Sequence, residues 1–370
     1  MDKALNLIRP EMLTPGTQVE HWRVLESLGL HAHGALYRVE DVRGPAPSLA
    51  MRLSFRRGEG QFSDKVARLQ AAHPNMARLH GYGRWHHQGD GFFYCVRDHV
   101  QGQSLAHWVE TTNPTFFQIA ALMGRVASAL GDTHARDTWH RDIHPDNIRV
   151  RDGDGEPVLM ELRTGGNECL DSLVQMPLPQ ELQVFRSPEE LRFQRTNLGR
   201  QHACYLYRPT DDLYSLGATA YWLVTGHPPF SPSLSCEQLH TEIELRAPLP
   251  PWEVNPRVPK PLGAIILRLL SKLPEARPQN GEVVCAELMV ALSAGSRAMW
   301  AKRVFDCDEG GLRWPEAPKV CPRPGPRLPR VVHFSPRTER PAKVFEGGPG
   351  GAAVVPSEPS EPLSPWARMM

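Results

Sequence analysis

The segment WHRDIHPDNIRV, residues 139–150, contains the side chains whose types and spacing point most directly to chemistry. Asp142 supplies a carboxylate that can accept a proton, and Asn147 supplies an amide oxygen that can ligate a metal ion. At this spacing, one loop can present both groups to the same phosphate. Such a loop works only if distant parts of the chain position its target, so the surrounding elements decide its role.

Composition excludes several classes of protein. The chain has 370 residues, 41% of them hydrophobic, and a formal net charge of +1. This length allows two or three packing units, and the charge gives no argument for nucleic-acid or membrane binding. The 7 cysteines are scattered without a CxxC pair, which favours a reducing compartment over a zinc site or disulfides. Without a signal-like start or a long apolar run, we predict a cytoplasmic protein with no membrane span.

Apolar patterns divide the chain into two regions ahead of a proline-rich end. Residues 21–100 contain short β-rich runs separated by turn residues, with one helical piece at about 62–72. Residues 104–295 are mostly helical, and the segment 212–226 is apolar nearly all round, as is typical of a central buried helix. These patterns predict an α+β protein with a β-rich lobe, a larger helical lobe and a cleft between them.

Nine short segments, taken in chain order over about residues 20–295, resemble the motifs of a protein kinase domain of the bacterial Ser/Thr type. The segments are LGLHAHGALY, LAMRL, HPNMARLHGYG, YCVRDHVQGQSL, HRDIHPDN, VLMELRTGG, FRSPEEL, DDLYSLG and LPEARP. The resemblance implies a two-lobed protein kinase-like fold, a protein partner or substrate, and ATP with Mg²⁺ if nucleotide binding is retained. It predicts an extension at 1–19, an N-lobe at 20–100, a C-lobe at 101–298 and a tail at 299–370.

The resemblance also implies roles for individual residues. Scaffold roles fall on the Glu189–Arg277 ion pair, on Asp212 as the cap of the catalytic-loop backbone, and on Gly217, Pro145 and Pro188. Asp142 matches the catalytic base and Asn147 a Mg²⁺ ligand. Nucleotide contacts fall on Gly29, Gly34, Leu36, Ala50 and Asp98.

Departures from the family pattern concentrate on the residues that handle phosphate. Arg52 stands where the third strand normally carries a Lys. The usual partner of that Lys is a Glu on the regulatory helix, and its position, counted back from the segment at 73–75, falls on Asp64. Glu161 replaces the Mg²⁺-binding Asp, and Arg163 replaces the Gly that follows. His144 replaces the Lys between Asp142 and Asn147, and is mostly neutral at pH 7.

Further departures affect the glycine-rich loop, the adenine pocket and the substrate side. His31 replaces the second glycine of the glycine-rich loop. Arg97 is the gatekeeper residue at the back of the adenine pocket. Leu182 replaces the Thr that helps to hold a Ser/Thr substrate against the base. The complete scaffold and the altered site favour a pseudokinase or strongly impaired kinase that acts as a binding or regulatory scaffold. The alternative is an active Ser/Thr kinase with Asp142 as base, Asn147 and Glu161 on Mg²⁺ and Arg52 on the phosphates.

Two segments are candidates for contacts with a protein partner. Residues 192–208 are rich in aromatic and basic side chains beside the expected substrate face, and either bind a partner or form a packed surface loop. The tail is rich in proline and basic residues, and we predict that it is disordered. Its stretch PGPRLP at 324–329 fits a polyproline II ligand, and the alternative is a solvated linker. Arg141 matches the Arg that senses a phosphorylated activation loop, or it binds nothing modified.

Overall fold

The computed structural model describes residues 13–31, 34–44, 48–57, 73–87, 90–160, 180–197, 200, 203, 205–308 and 311–313. The chain divides into two units, residues 1–324 and 325–370, and all described residues belong to the first. Among the described residues, no helix is both long enough and apolar enough to cross a membrane. The predicted helical piece at 62–72 and the predicted tail beyond residue 313 lie outside the described residues.

An antiparallel sheet of six strands, in the order β1-β2-β3-β4-β6-β5, forms the N-lobe. Its strands are β1 Gln18–Val19, β2 Trp22–His31, β3 Gly34–Asp41, β4 Leu49–Arg57, β5 Leu79–His87 and β6 Asp90–Asp98. One face carries a core that includes Trp22, Tyr37, Met51 and Val96. Because side chains alternate along a strand, the neighbouring positions face the other way, toward the cleft.

Strand register assembles the cleft face of this sheet. Leu36 lies opposite Arg52 on β4, and Ala50 lies opposite both Arg38 on β3 and Arg97 on β6. Residues directly opposite in a sheet share a face, so these positions form two adjacent rows. Three arginines therefore belong to the cleft face of a small sheet.

Helices dominate the C-lobe. They are α1 Leu105–Thr112, α2 Phe116–His134, α3 Gln180–Gln183, α4 Pro188–Thr196, α5 Pro209–Thr225, α6 Cys236–Leu245, α7 Pro251–Val254, α8 Lys260–Leu269, α9 Gly281–Ala294 and α10 Arg297–Trp300. The predicted central helix is α5, which is buried along almost its whole length. A Cβ on Gly217 would lie 2.6 Å from the Leu269 Cβ, so glycine lets α5 and α8 pack closely.

A three-stranded sheet, β7 Gly102–Ser104, β8 Ile148–Arg151 and β9 Pro157–Leu159, supports the loop that carries Asp142. β8 and β9 pair as an antiparallel hairpin, and Gly153 and Gly155 adopt positive φ values of 93° and 68° in its turn. The segment DGDG at 152–155 therefore forms the turn of this hairpin. The loop enters from α2 and leaves directly into β8, so both of its ends are fixed.

The folded chain extends beyond residue 298. Trp300, Val304 and Phe305 are buried, and the short hairpin β10 Asp306–Asp308 and β11 Gly311–Arg313 follows. Asn113 donates to the Phe305 carbonyl at 2.9 Å and accepts from the Phe305 N–H at 3.0 Å. The predicted boundary of the tail at 299 was too early, because three apolar side chains among polar neighbours give no clear helical or strand period.

Candidate active site in the interlobe cleft

Asp212 holds the backbone of the catalytic loop from below. Its carboxylate accepts from the His140 N–H at 2.8 Å and the Arg141 N–H at 2.7 Å, and lies 2.9 Å from His134 Nε2. Burial alone would raise the pKa of Asp212, but the contact with His134 and nearby positive charge outweigh it and lower that pKa. A buried anion thus caps the loop in the role expected for this residue.

Asp142 and Asn147 come together at the mouth of this loop. Asn147 Nδ2 donates to the Asp142 carbonyl at 2.7 Å, within the turn Pro145–Asn147 that leads into β8. Both side chains are largely buried and both line the cleft cavity. The two residues that the sequence singled out are therefore neighbours in space.

Arg186 forms a buried ion pair with Asp142 that the sequence motifs did not indicate. Arg186 Nη2 donates to Asp142 Oδ1, and Nη1 donates to the Arg141 carbonyl. The two side chains are 3% and 8% exposed, so water barely reaches the pair. Burial opposes charge on Arg186, but Glu190 and Asp142 outweigh burial and raise its pKa. The only signal in the sequence was a basic residue directly before Ser187 and Pro188.

His144 faces the same carboxylate from the position where the family carries a Lys. Its Nε2 lies 3.8 Å from Asp142 Oδ2, which exceeds the length of a hydrogen bond. The His144 ring also lies 6.2 Å from the Phe185 ring, centroid to centroid. The catalytic loop thus offers an imidazole beside Asp142 in place of an ammonium group.

The positions matched to nucleotide binding are divided between cavity walls and structural contacts. Leu36 and Ala50 line the cavity. Gly29 has a φ of 115°, and a Cβ on Gly34 would lie 2.3 Å from the Leu53 carbonyl oxygen. The local backbone therefore favours glycine at both positions. The Asp98 carboxylate accepts from the Arg78 N–H at 3.0 Å and lies 2.6 Å from His80 Nε2.

The candidate phosphate and metal residues are only partly described. Arg52 is half-buried on the cleft face of β4. Asp64, Glu161 and Arg163 lie outside the described residues. In the part of the chain that the structure describes, no group of three or more His, Cys, Asp or Glu side chains could hold a metal ion. Of the two predicted Mg²⁺ ligands, Asn147 belongs to the described residues and lies beside Asp142.

The cleft contains a cavity of about 250 Å³. Its apolar walls are Leu28, Leu36, Ala50, Val100 and Met160. Arg97 and Arg149 also line it, and Arg149 is a second residue that the sequence motifs did not indicate. Two guanidinium groups therefore line the cavity in which the resemblance places the nucleotide.

Arg141 and the segment 205–208 pack together on the far side of the loop. The Arg141 guanidinium lies 4.8 Å from the centre of the Tyr207 ring, and the Tyr207 hydroxyl donates to Glu190 Oε1 at 2.6 Å. Tyr205 lies against Tyr207 with ring centroids 4.8 Å apart. These aromatic side chains face inward, toward Trp139 and Leu182.

The basic side chains at the start of 192–208 also make internal contacts. Arg192 Nε and Arg195 Nη2 lie 3.1 Å and 2.9 Å from the carboxylate of Glu244 on α6. Leu206 is 72% exposed. Packing therefore accounts for most of the aromatic and basic character that marked this segment, and leaves a smaller exposed part.

A family model described as the protein kinase domain matches residues 65–289. The chain belongs to the protein kinase family. The fold agrees, because the crystal structure of the Mycobacterium tuberculosis PknI kinase domain matches with a TM-score of 0.54 at 19% identity, over 76% of this chain and 100% of that chain. At that identity the likeness shows the fold alone, and it bears out the two-lobed architecture expected from the sequence.

Two curated relatives carry the same family name. Serine/threonine-protein kinase Pkn1 of Myxococcus xanthus is 33% identical over 230 residues, which cover 62% of this chain and 31% of the relative. Serine/threonine-protein kinase PkaA of Streptomyces coelicolor is 27% identical over 296 residues, which cover 78% of this chain and 50% of the relative. The chain thus spans half or less of these relatives, so the likeness concerns the kinase domain.

Proposed function

We propose that this kinase domain acts as a binding or regulatory scaffold with little or no phosphotransfer activity. The observation that carries the proposal is the buried ion pair between Arg186 and Asp142. A general base must take up a proton, and a proton on Asp142 would remove one of the two acidic charges, Glu190 and Asp142, that stabilise the buried Arg186 cation. Proton uptake at this carboxylate is therefore costly.

The charges around Asp142 support the same proposal. Phosphoryl transfer depends on positioned cations and metal ions that neutralise the moving phosphate. His144 stands beside Asp142 in place of an ammonium group, and Arg52 presents a planar guanidinium on the cleft face. Arg97 and Arg149 add two further guanidinium groups to the lining of the same cavity, again in place of a compact ammonium group.

An active Ser/Thr protein kinase is the second candidate function. The contact of Asn147 with the Asp142 backbone and the Asp212 cap hold the catalytic loop in an ordered form, which favours it. The relatives are also named as serine/threonine-protein kinases. In this candidate Asp142 is the base, Asn147 and Glu161 ligate Mg²⁺, and Arg52 contacts the phosphates.

A phosphotransfer assay separates the two candidates. Purified protein is incubated with radiolabelled ATP, Mg²⁺ and a generic protein substrate, beside an Asp142→Asn variant. For the scaffold we expect label transfer no greater than that of Asp142→Asn. Transfer well above that variant would reject the scaffold and establish the kinase.

A scaffold of this family would act on a protein partner, and the exposed part of 192–208 is the surface that we propose for it. Leu206 is exposed beside the packed pair Tyr205 and Tyr207, so it can change without loss of the core. Leu206→Asp should weaken capture of a purified partner and leave the melting temperature within 1–2 °C, roughly the effect of a surface substitution. Unchanged capture of that partner would exclude this surface.

A further inference from the structure

Helix α9 is apolar on the side that faces away from the core of the C-lobe as well as on the side that faces it. On the inner side, Gly281, Val284, Leu288 and Ala291 are buried where the helix packs against α2 and α8. On the opposite side, Val290 is 66% exposed. A helix at the surface of a single domain normally carries polar side chains on its outer side. The sequence of α9 is therefore that of a helix covered on both sides.

Four exposed apolar side chains form the outer face of α9. They are Val283, Ala286, Val290 and Ala294, at successive intervals of three, four and four residues. Residues at these intervals lie above one another along one side of a helix, so the four side chains form a continuous apolar surface. A single exposed valine is ordinary, whereas a continuous apolar surface on a soluble domain marks a contact with another molecule.

The outer face of α9 complements itself when its direction is reversed. Large and small side chains alternate along it, in the order valine, alanine, valine, alanine. When a second copy of α9 lies antiparallel across the first, Val283 faces Ala294 of the other copy and Ala286 faces Val290 of the other copy. A two-fold axis repeats both contacts. Each valine then lies over an alanine, which allows the two helices to approach closely.

Charges at the two ends of the outer face favour the same direction. Glu282 lies at the start of α9, Arg297 lies three residues after its end, and both side chains are exposed. In an antiparallel pair, the glutamate of each copy lies near the arginine of the other copy. A parallel pair would bring glutamate to glutamate and arginine to arginine, and like charges at an interface repel.

We propose that the outer face of α9 binds a second copy of this chain, with the two helices antiparallel about a two-fold axis. A two-fold contact requires a surface that complements itself, and both the order of side-chain sizes and the end charges of α9 meet this requirement. The inference goes beyond the proposed scaffold function and does not depend on it. One helix face is smaller than the roughly 800 Å² per partner of a stable interface, so we expect a micromolar dissociation constant.

Sedimentation equilibrium of the full chain tests for the pair. The concentration runs from about 1 μM to about 200 μM, a range that brackets a micromolar dissociation constant. We expect the average mass to rise from that of the monomer toward twice that value as the concentration increases. A monomer mass over the whole range would overturn the proposal. The measurement contains no ATP, so its result is independent of the phosphotransfer assay.

Val290→Asp tests whether α9 forms the contact. It places a carboxylate at the apolar centre of the pair and should weaken association by at least about tenfold. Val42→Asp is the matched control, because Val42 is also exposed but lies in the turn after β3, and it should leave association unchanged. At these exposed positions, both variants should keep the melting temperature of dilute protein within roughly 1–2 °C. Association that Val290→Asp leaves intact, or that both variants weaken equally, would reject α9 as the interface.

A charge exchange tests the antiparallel direction. Glu282→Arg alone, or Arg297→Glu alone, places like charges together at both ends of the pair and should weaken association by about threefold to tenfold, since two exposed ion pairs are lost. The chain that carries both substitutions restores opposite charges and should regain the original affinity. Single variants that associate as tightly as the unchanged protein, or a double variant that stays as weak as the single variants, would reject the antiparallel pair.

Discussion

At the scale of single residues, one contact changes the meaning of the catalytic loop. Asp142 and Asn147 stand where a base and a metal ligand are needed, and the Asn147 amide braces the loop. Arg186, in the turn before α4, forms an ion pair with the Asp142 carboxylate. The identity of Asp142 indicates a base, whereas its contact indicates a structural ion pair.

Removing Arg186 tests how strongly that pair is built into the fold. Arg186→Leu leaves a buried carboxylate without its partner, and we expect a loss of about 3–5 kcal/mol in the free energy of unfolding. Urea denaturation measures the loss. Arg192→Leu is the control, because Arg192 is 49% exposed and Arg195 still pairs with Glu244, so its cost should stay below about 1 kcal/mol. Similar losses in the two variants would show that the Arg186 pair is not strongly stabilising.

At the scale of elements, the start of α5 joins the catalytic loop to the segment 205–208. Asp211 accepts from the Ser187 hydroxyl, from the Tyr205 hydroxyl at 2.9 Å and from the Arg208 N–H at 2.8 Å. Tyr207 covers Arg141 from the same segment. The segment 205–208, whose composition suggested a binding surface, therefore packs its tyrosines against α4, α5 and the catalytic loop.

The pH dependence of stability follows from Asp211 at the start of α5. Burial and then the charge on Glu189 outweigh the donors and raise the pKa of Asp211 from 3.8 to about 8. Between these values the folded protein holds a proton that the unfolded chain has released. The contribution of this group is thus fully present below the unfolded pKa of 3.8 and is lost as the pH rises through about 8.

Asp211→Asn removes this titration. We expect the free energy of unfolding of the variant to fall less between pH 5 and pH 8, roughly the window in which a raised carboxyl pKa acts, than that of the unchanged protein. Denaturation at several pH values measures the two slopes. Asp154→Asn is the control, because contact with Arg151 lowers the pKa of that carboxyl, so its slope in this window should match the unchanged protein. Parallel slopes for Asp211→Asn would contradict the prediction.

At the scale of the whole molecule, the chain after α9 completes the C-lobe. The Asn113 side chain forms hydrogen bonds with both the carbonyl and the N–H of Phe305, and Asn255 Nδ2 donates to the Val304 carbonyl at 2.9 Å. Trp300 is 3% and Phe305 2% exposed. Residues 300–305 are therefore packed into the C-lobe and form part of the folded domain.

Truncation tests this packing. A chain that ends at residue 298 should lose about 3 kcal/mol or more of stability relative to one that ends at residue 313, because it exposes the pocket of a buried Phe and a buried Trp. Thermal and urea unfolding of the two chains measure the difference. Phe305→Ala in the longer chain should cost about 3–5 kcal/mol. The exposed Lys302→Ala should cost less than about 0.5 kcal/mol. Equal stability of the two truncated chains would place the end of the domain at 298.

The sequence by itself determined the family, the two lobes, the loop with Asp142 and Asn147, and the pair of Glu189 with Arg277, whose atoms lie 2.6 Å apart. The two lobes follow from local patterns, which encode backbone conformation and burial, whereas the family, the roles of the loop residues and the ion pair follow from the resemblance of the ordered motifs to the protein kinase family. Only the tertiary structure decided that Arg186 occupies Asp142, that Arg149 joins Arg97 in the cleft, and that Tyr207 covers Arg141. Such contacts join residues far apart in the chain, and packing in three dimensions, which leaves no periodic trace in the sequence, selects them.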